Sequence, residues 1–355
     1  MIASRPPFPE TDALRKEPLQ ASGLPARILA LLHTGEFTTL GDLCQPLPPC
    51  EKLDADDRAL LSRIAAYVKI SCTDGPPTLS LHDWLALFLP PRLADAIQLH
   101  YGLQETSARL ALHQVSLRDT GFKLGVTRER ARQLLGLAHK ALGTPLPLFA
   151  AEPLYRAMET TLHPSGGVLD ATALAKSHNP AWSPLSPLGT FLLLMNLSPE
   201  RLTLYRDLCG TLSPSRMENI EKSVRDQMSA AHRLLLISEI EAHLPPAVRP
   251  SSVPSATPLL LALLRHMPDT LATRDGRAGL ADRDGAELLR EILSTGGESP
   301  LRSIVAAFNA RLHPECQRGS GFVRDTLQRD SLVRKTAPSR YSLPGGLQTH
   351  LPLLP

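Results

Sequence analysis

Aromatic residues are scarce in this chain of 355 residues, at 4% of the total. Too few rings remain for the stacking platforms that bind single strands, and large β-barrels are disfavoured for the same reason. Cysteine is sparse as well: Cys44, Cys50, Cys72, Cys209 and Cys316 are scattered with no CxxC pair. That pattern argues against structural zinc and fits reduced thiols. A dominant charge is missing too, with 38 Lys and Arg against 35 Asp and Glu and a net charge of +3. Any nucleic-acid surface must therefore be local rather than a general cationic coat. No run approaches the roughly 18 to 20 consecutive apolar residues of a membrane span, and the start MIASRPPFPE has no signal-peptide core. The expected setting is the cytoplasm, with no membrane partner.

Catalytic signatures are also lacking. There is no HExxH or HxH, no GxSxG, no GxxxxGK[ST] and no strand-borne GxGxxG. His163, His178 and His243 stand apart, and the carboxylate pairs Asp54/Asp56 and Glu239/Glu241 fall on helical stretches where solvent is their expected neighbour. The chain is read as a non-enzyme with no cofactor, no metal and no small-molecule substrate.

What the chain has in quantity is proline, 33 residues clustered between helical stretches, and a hydrophobic fraction of 43% that suffices for real cores. The combination suits short helical modules on stiff linkers. The most informative segment is Ser116 to Lys140, SLRDTGFKLGVTRERARQLLGLAHK. It reads as a helix, a tight turn at Gly125 and a second helix opening at Thr127. Gly121 is small where two helices must cross, and Gly125 can adopt the positive φ of the turn without strain. Thr127 is placed to cap the next helix, while Ala131, Leu134, Leu135 and Ala138 recur at the spacing of a buried face. Arg128 and Arg132 make one i,i+4 row with Glu129 and Gln133 beside it, so the first two turns present hydrogen-bonding forks and an acceptor outward.

The run Leu124 to Gln133, LGVTRERARQ, resembles region four of the sigma-70 family, the part of bacterial sigma factors that reads the upstream promoter hexamer. The likeness extends upstream through Leu89-Pro90-Pro91-Arg92 and Leu99-His100-Tyr101-Gly102-Leu103, which are similar to that region's first helices. It implies base-edge contacts from Arg128, Glu129 and Gln133 and phosphate contacts from Arg132 and Arg130, with Thr127 and Lys123 at the same surface. Leu135 and Leu137 stand where the family usually has charged residues, and the insert between Gly102 and Ser116 carries fewer acids than usual. Nothing in the chain is similar to sigma region two, which melts promoters, so initiation by this protein alone is not expected.

Two further stretches carry resemblances. Leu24 to Leu32 reads as an apolar-striped helix, followed by Gly35 to Leu43 as a turn into another. This layout is similar to the C-terminal domain of the RNA polymerase α subunit. The counterpart of that family's phosphate-gripping hairpin, Glu51 to Val68, has acids and no glycine, so protein contact or simple packing is as well supported as phosphate binding. Near the other end, helices over Glu287–Ser294, Ser299–Leu312 and Gly321–Asp330 precede strands at Leu332–Arg334 and Arg340–Leu343. This resembles the HARE-type winged helix. It implies that Arg324, Gln328 and Arg329 lie near DNA, with Arg334, Lys335 and Arg340 on the wing. Two earlier winged-helix-like units have apolar third helices, PLGTFLLLMNL and PLLLALLRHM, and read as scaffolding.

The expected fold is mainly α, built from tandem small DNA-binding-type modules with short β-hairpins. The expected boundaries are a disordered arm at 1–17, the α-subunit-like module at 18–75 and the helix-turn-helix at 78–143. A proline-rich break at Thr144–Pro147 follows, then winged-helix-like units at 151–212 and 213–284, the latter entered through a charged helix over Arg216–Leu244. The C-terminal winged helix spans 285–346 and a tail 347–355. The expected function is sequence-specific binding of double-stranded DNA in transcription, docked on promoter DNA or RNA polymerase. A protein-interaction scaffold with a non-reading helix-turn-helix is the alternative, and a DNA-recognition component of a defence or restriction system is a third.

Overall fold

The computed structural model describes residues 11–104, 115–246 and 256–344. Most of the insert before Ser116 and the predicted tail at 347–355 lie outside them. The architecture is mainly helical with three small three-stranded sheets, and no helix among the described residues is long and apolar enough to cross a membrane. Contacts divide the chain into two units, Met1–Pro164 with Leu169–Thr203 and Cys209–Thr211, and Ser165–Val168 with Leu204–Leu208 and Leu212–Pro355.

In the first unit the predicted disordered arm contains a helix, α1 (Thr11–Lys16), held by burial of Leu14 and by Arg15 Nη2 donating to the Cys72 carbonyl at 3.0 Å. α2 (Ala26–Thr34) follows, then a 3-10 turn at Leu40–Cys44 and α3 (Ala55–Thr73), which Asp54 caps by accepting from the Asp57 amide at 2.8 Å. Next come α4 (Leu81–Phe88), α5 (Pro91–His100), α6 (Leu117–Lys123) and α7 (Arg128–Leu142). The proline-rich segment expected to break the chain forms α8 (Pro145–Ala150) instead. Proline at the first helical position loses no hydrogen bond there. The Pro147 carbonyl also accepts from the buried Trp84 indole at 2.9 Å, which fastens α8 to α4.

Three stretches then share one element order. The first has α9 (Glu152–Leu162), β1 (Val168–Asp170), α10 (Ala171–Ala175), α11 (Pro187–Leu197), β2 (Thr203–Tyr205) and β3 (Leu208–Gly210). The second has α12 (Pro214–Ala231), β4 (Leu235–Leu236), α13 (Ile237–Ala242), α14 (Thr257–His266), β5 (Thr270–Ala272) and β6 (Arg277–Leu280). The third has α15 (Ala281–Gly296), β7 (Ser299–Pro300), α16 (Leu301–Arg311), α17 (Ser320–Arg329), β8 (Arg334–Ala337) and β9 (Arg340–Ser342). In every case the sheet order is first, third, second strand. The charged helix expected over Arg216–Leu244 is therefore interrupted. His232 turns the chain with φ of 54°, and Leu235 and Leu236 pair with Ala278 and Arg277 as a strand.

The apolar third helices pack inward. Within the first unit α11 lies against the end of α5: Ser186 N donates to the Leu103 carbonyl at 2.7 Å, and a Cβ at Gly189 would stand 2.4 Å from the Tyr101 carbonyl oxygen. Within the second unit every residue of α14 is buried or half-buried. Leu259, Leu260, Leu263 and Leu264 join Leu288, Leu289, Phe308, Val323 and Leu327 in one continuous core.

Candidate nucleic-acid interface

The α6–α7 hairpin is assembled from local rules. Ser116 caps α6 by accepting from the Asp119 amide at 3.1 Å, and α6 ends at a turn where Gly125 has φ of 66°. Gly121 is buried at the crossing, where a Cβ would lie 2.9 Å from the Val126 carbonyl oxygen and 3.2 Å from that of Thr127. A side chain there would push the two helices apart. The Thr127 hydroxyl accepts from the Arg130 amide at 3.2 Å, so α7 begins at Arg128. Ala131, Leu134, Leu135, Ala138 and Leu142 are buried, and α7 is thereby fixed in rotation.

That rotation leaves Thr127, Arg128, Glu129, Arg130, Arg132 and Gln133 exposed together, with Lys123 exposed at the end of α6. Arg118 and Lys140 add positive charge against Asp119 and Glu129. The exposed groups are already engaged with each other along the helix. Arg132 meets Glu129 through two parallel bonds, Nε to Oε2 at 2.9 Å and Nη2 to Oε1 at 2.7 Å. Arg130 Nη1 donates to Gln133 Oε1 at 3.1 Å. The Arg132 guanidinium, with Gln133 and Arg128 assisting, holds the Glu129 carboxyl below its usual range, so it stays ionised. Solvent screening makes such exposed pairs weak, and a stronger partner can take either group. The i−3 spacing of Glu129 and Arg132 was readable in the sequence as a pair, although the row Arg128–Arg132 drew the expectation.

Large apolar groups also remain outside. Phe122 is 86% exposed and Leu137 is 54% exposed, whereas Leu135 is in the core. The other end of α7 is held through a polar cluster. Asn196 Nδ2 on α11 donates to the Tyr101 hydroxyl at 2.7 Å, and that hydroxyl lies 2.8 Å from His139 Nε2 on α7. Sequence reasoning missed this link because its members are far apart in the chain.

The third repeat offers a separate surface. On α17, Arg324, Gln328 and Arg329 are exposed while Val323, Thr326 and Leu327 are buried, and on the hairpin Arg334, Lys335 and Arg340 are exposed. The two earlier hairpins are occupied. Arg206, in the β2–β3 turn, bonds Glu221 of α12 at 2.9 Å. Arg277, at the start of β6, bonds Glu291 of α15 through both terminal nitrogens at 2.7 and 3.0 Å. Arg274 adds to the second joint, its amide donating to the Arg311 carbonyl at 2.8 Å and its Nε to that of Leu312 at 3.1 Å.

Among the described residues no group of three or more His, Cys, Asp and Glu is placed to hold a metal ion. Comparison with protein-family models, with curated proteins and with solved structures finds no match to this chain.

Proposed function

We propose that the protein binds double-stranded DNA in a sequence-specific way and acts in transcription. The observation that carries this reading is the α6–α7 hairpin: a glycine crossing, a left-handed turn glycine and a threonine cap together present Arg128, Glu129 and Gln133 from the first two turns of α7. In a helix-turn-helix, those positions enter the major groove. Arg128 and Gln133 are forks for base edges, Glu129 is an acceptor for a cytosine amine, and Arg130, Arg132 and Lys123 serve phosphates. The resemblance of Leu124–Gln133 to sigma region four supports a promoter-type target and RNA polymerase as the protein partner. The role proposed is docking on promoter DNA or RNA polymerase, in the cytoplasm.

The three α–β–α–α–β–β repeats have the strand order of winged helices, and we read them so. The third places Arg324 and Gln328 of α17, with Arg334 of β8, at a second duplex contact. The embedded third helices of the other two make them scaffold.

Fluorescence anisotropy on a duplex with a sigma-type upstream hexamer and on a scrambled duplex tests the reading. Arg128→Ala and Gln133→Ala are expected to cost about 1–3 kcal/mol each on the hexamer and to level the two duplexes. Arg132→Ala is expected to weaken both alike. Equal binding by wild type and variants would sink base reading by α7. A second reading, an interaction scaffold whose hairpin no longer reads DNA, is favoured by bare Phe122 and Leu137. It predicts no salt-dependent duplex binding at all.

A further inference from the structure

The third hairpin carries an arginine at the register position from which the second hairpin makes a joint. Strand register fixes the correspondence. Leu235 and Leu236 of β4 face Ala278 and Arg277 of β6, and Ser299 and Pro300 of β7 face Tyr341 and Arg340 of β9. Arg340 therefore holds the position of Arg277.

Arg277 is 22% exposed and grips a carboxylate on the first helix of the following repeat, Glu291 of α15, which Arg311 also reaches at 2.9 Å. The first hairpin does the same with Arg206 and Glu221 of α12. Twice, then, a hairpin arginine pairs with a glutamate on the following helix. The third repeat is followed by no such helix among the described residues. Arg340 is 53% exposed, and its carboxylate contact is Glu298 at 3.6 Å, a longer pair than either internal joint makes.

Beside Arg340 the surface is shaped to take more than an ion. An open groove of about 350 Å³ runs between α16, the start of α17 and the β8–β9 turn, lined by Leu301, Arg302, Val305, Ser320 and Ser339. Leu301 and Val305 form a half-buried apolar floor, exposed Arg302 lines it, and exposed Arg340 follows the lining residue Ser339 in the chain. An apolar floor with a cationic rim suits an amphipathic helix that brings leucine-type side chains and a carboxylate. It suits a bare phosphate backbone less well, because duplex DNA has nothing to place on Leu301 and Val305.

We propose that the open third hairpin docks an acidic amphipathic helix of a protein partner, with a helix carboxylate on Arg340 and apolar side chains over Leu301 and Val305. The partner helix then gives Arg340 the carboxylate that Arg206 and Arg277 find within the chain. This assignment does not depend on DNA reading by α7.

The probe is a labelled peptide of residues 281–296, the chain's own helix from the second joint, titrated against the full-length protein by anisotropy. Saturable binding is expected, about tenfold weaker to Arg340→Glu and restored when that variant meets the Glu291→Arg peptide. Val305→Asp should weaken binding with Arg340 intact. Thermal midpoints of both variants close to wild type would show that the fold is kept. The proposal is overturned if the peptide shows no saturable binding, or if its binding ignores the charge at residue 340. It is equally overturned if Arg340→Glu abolishes binding of a short duplex and leaves peptide binding unchanged, which would give Arg340 to DNA.

Discussion

The Tyr101 hydroxyl faces His139 Nε2 at 2.8 Å while accepting from Asn196 Nδ2 at 2.7 Å. The hydroxyl accepts from the amide and still has a proton to give, which His139 Nε2 stands in place to receive. We assign the ring to the neutral tautomer with its proton on Nδ1, which makes the Tyr101 hydroxyl the donor. Protonation of Nε2 would place two hydrogens face to face in a half-buried cluster that joins α5, α7 and α11.

Burial, and then the nearby His100, hold the His139 pKa below its ordinary value. The unfolded chain thus takes up the proton before the folded one does. The stability contributed is complete above about pH 6.5, and it is lost as pH falls from there through the lowered native value. Urea midpoints measured across that window should fall with pH for wild type and much less for His139→Gln, which keeps an acceptor but cannot titrate. Parallel curves for the two proteins would refute the assignment.

Glycine substitutions separate two reasons for glycine in one hairpin. Gly121→Ala meets backbone oxygen at 2.9 Å and should cost about 1–3 kcal/mol through overpacking. Gly125→Ala meets nothing within 4 Å but must hold φ of 66°, so about 1–2 kcal/mol is expected from the backbone alone. Gly136→Ala, in α7 with open space around it, should instead stabilise by roughly 0.5–1 kcal/mol. Urea denaturation of the three variants gives the order directly.

Glu129 is an ionised acid on a surface that we expect to meet phosphates, and it occupies Arg132. Glu129→Ala should raise affinity for the scrambled duplex and steepen the salt dependence by up to about 0.9 in log–log slope, because Arg132 is released. Discrimination for the hexamer should fall at the same time. Anisotropy at several salt concentrations measures both quantities. A loss of affinity on both duplexes would mean that Glu129 positions the helix rather than reads a base.

Hairpin arginines at matching register should differ in what they hold together. Arg277→Ala breaks a bidentate pair with Glu291 and is expected to cost about 1–3 kcal/mol in chemical denaturation. Arg340→Ala, at an exposed position with a long pair, should cost less than about 0.5 kcal/mol. Equal costs would contradict the distinction between a closed and an open hairpin.

The hairpin α6–α7 was legible because its determinants are neighbours in the chain: Gly121, Gly125 and Thr127 each act within one or two turns of themselves. The β5–β6 turn at Asp275-Gly276 rests on a determinant of the same local kind, with Gly276 at φ of 81°. Misreadings occurred where a distant partner decides the local state. Thr144–Pro147 looks like a linker until Trp84 is placed beside Pro147. The helical pattern continues through Arg233, yet Leu235 and Leu236 are drawn into a ladder with β6. Cys44 and Cys72 show no motif spacing, yet the fold brings them near enough that Cys72 adds to burial in raising the Cys44 thiol pKa. The candidate site follows the same division. Its exposed residues were readable from periodicity, whereas the clamp of Tyr101, His139 and Asn196 that fixes α7 was not.

The asymmetry of the hairpins also decides where the molecule can be labelled or lengthened. Around Asp275 the backbone is tied to Arg311 and Leu312, and residues inserted there would wedge the second and third repeats apart. At Pro338 and Ser339 both side chains are exposed, and Ser339 already adopts φ of 59°. A dye or a tether attached at Ser339 would leave both internal joints untouched and sit beside the groove, where arrival of a partner would change its fluorescence.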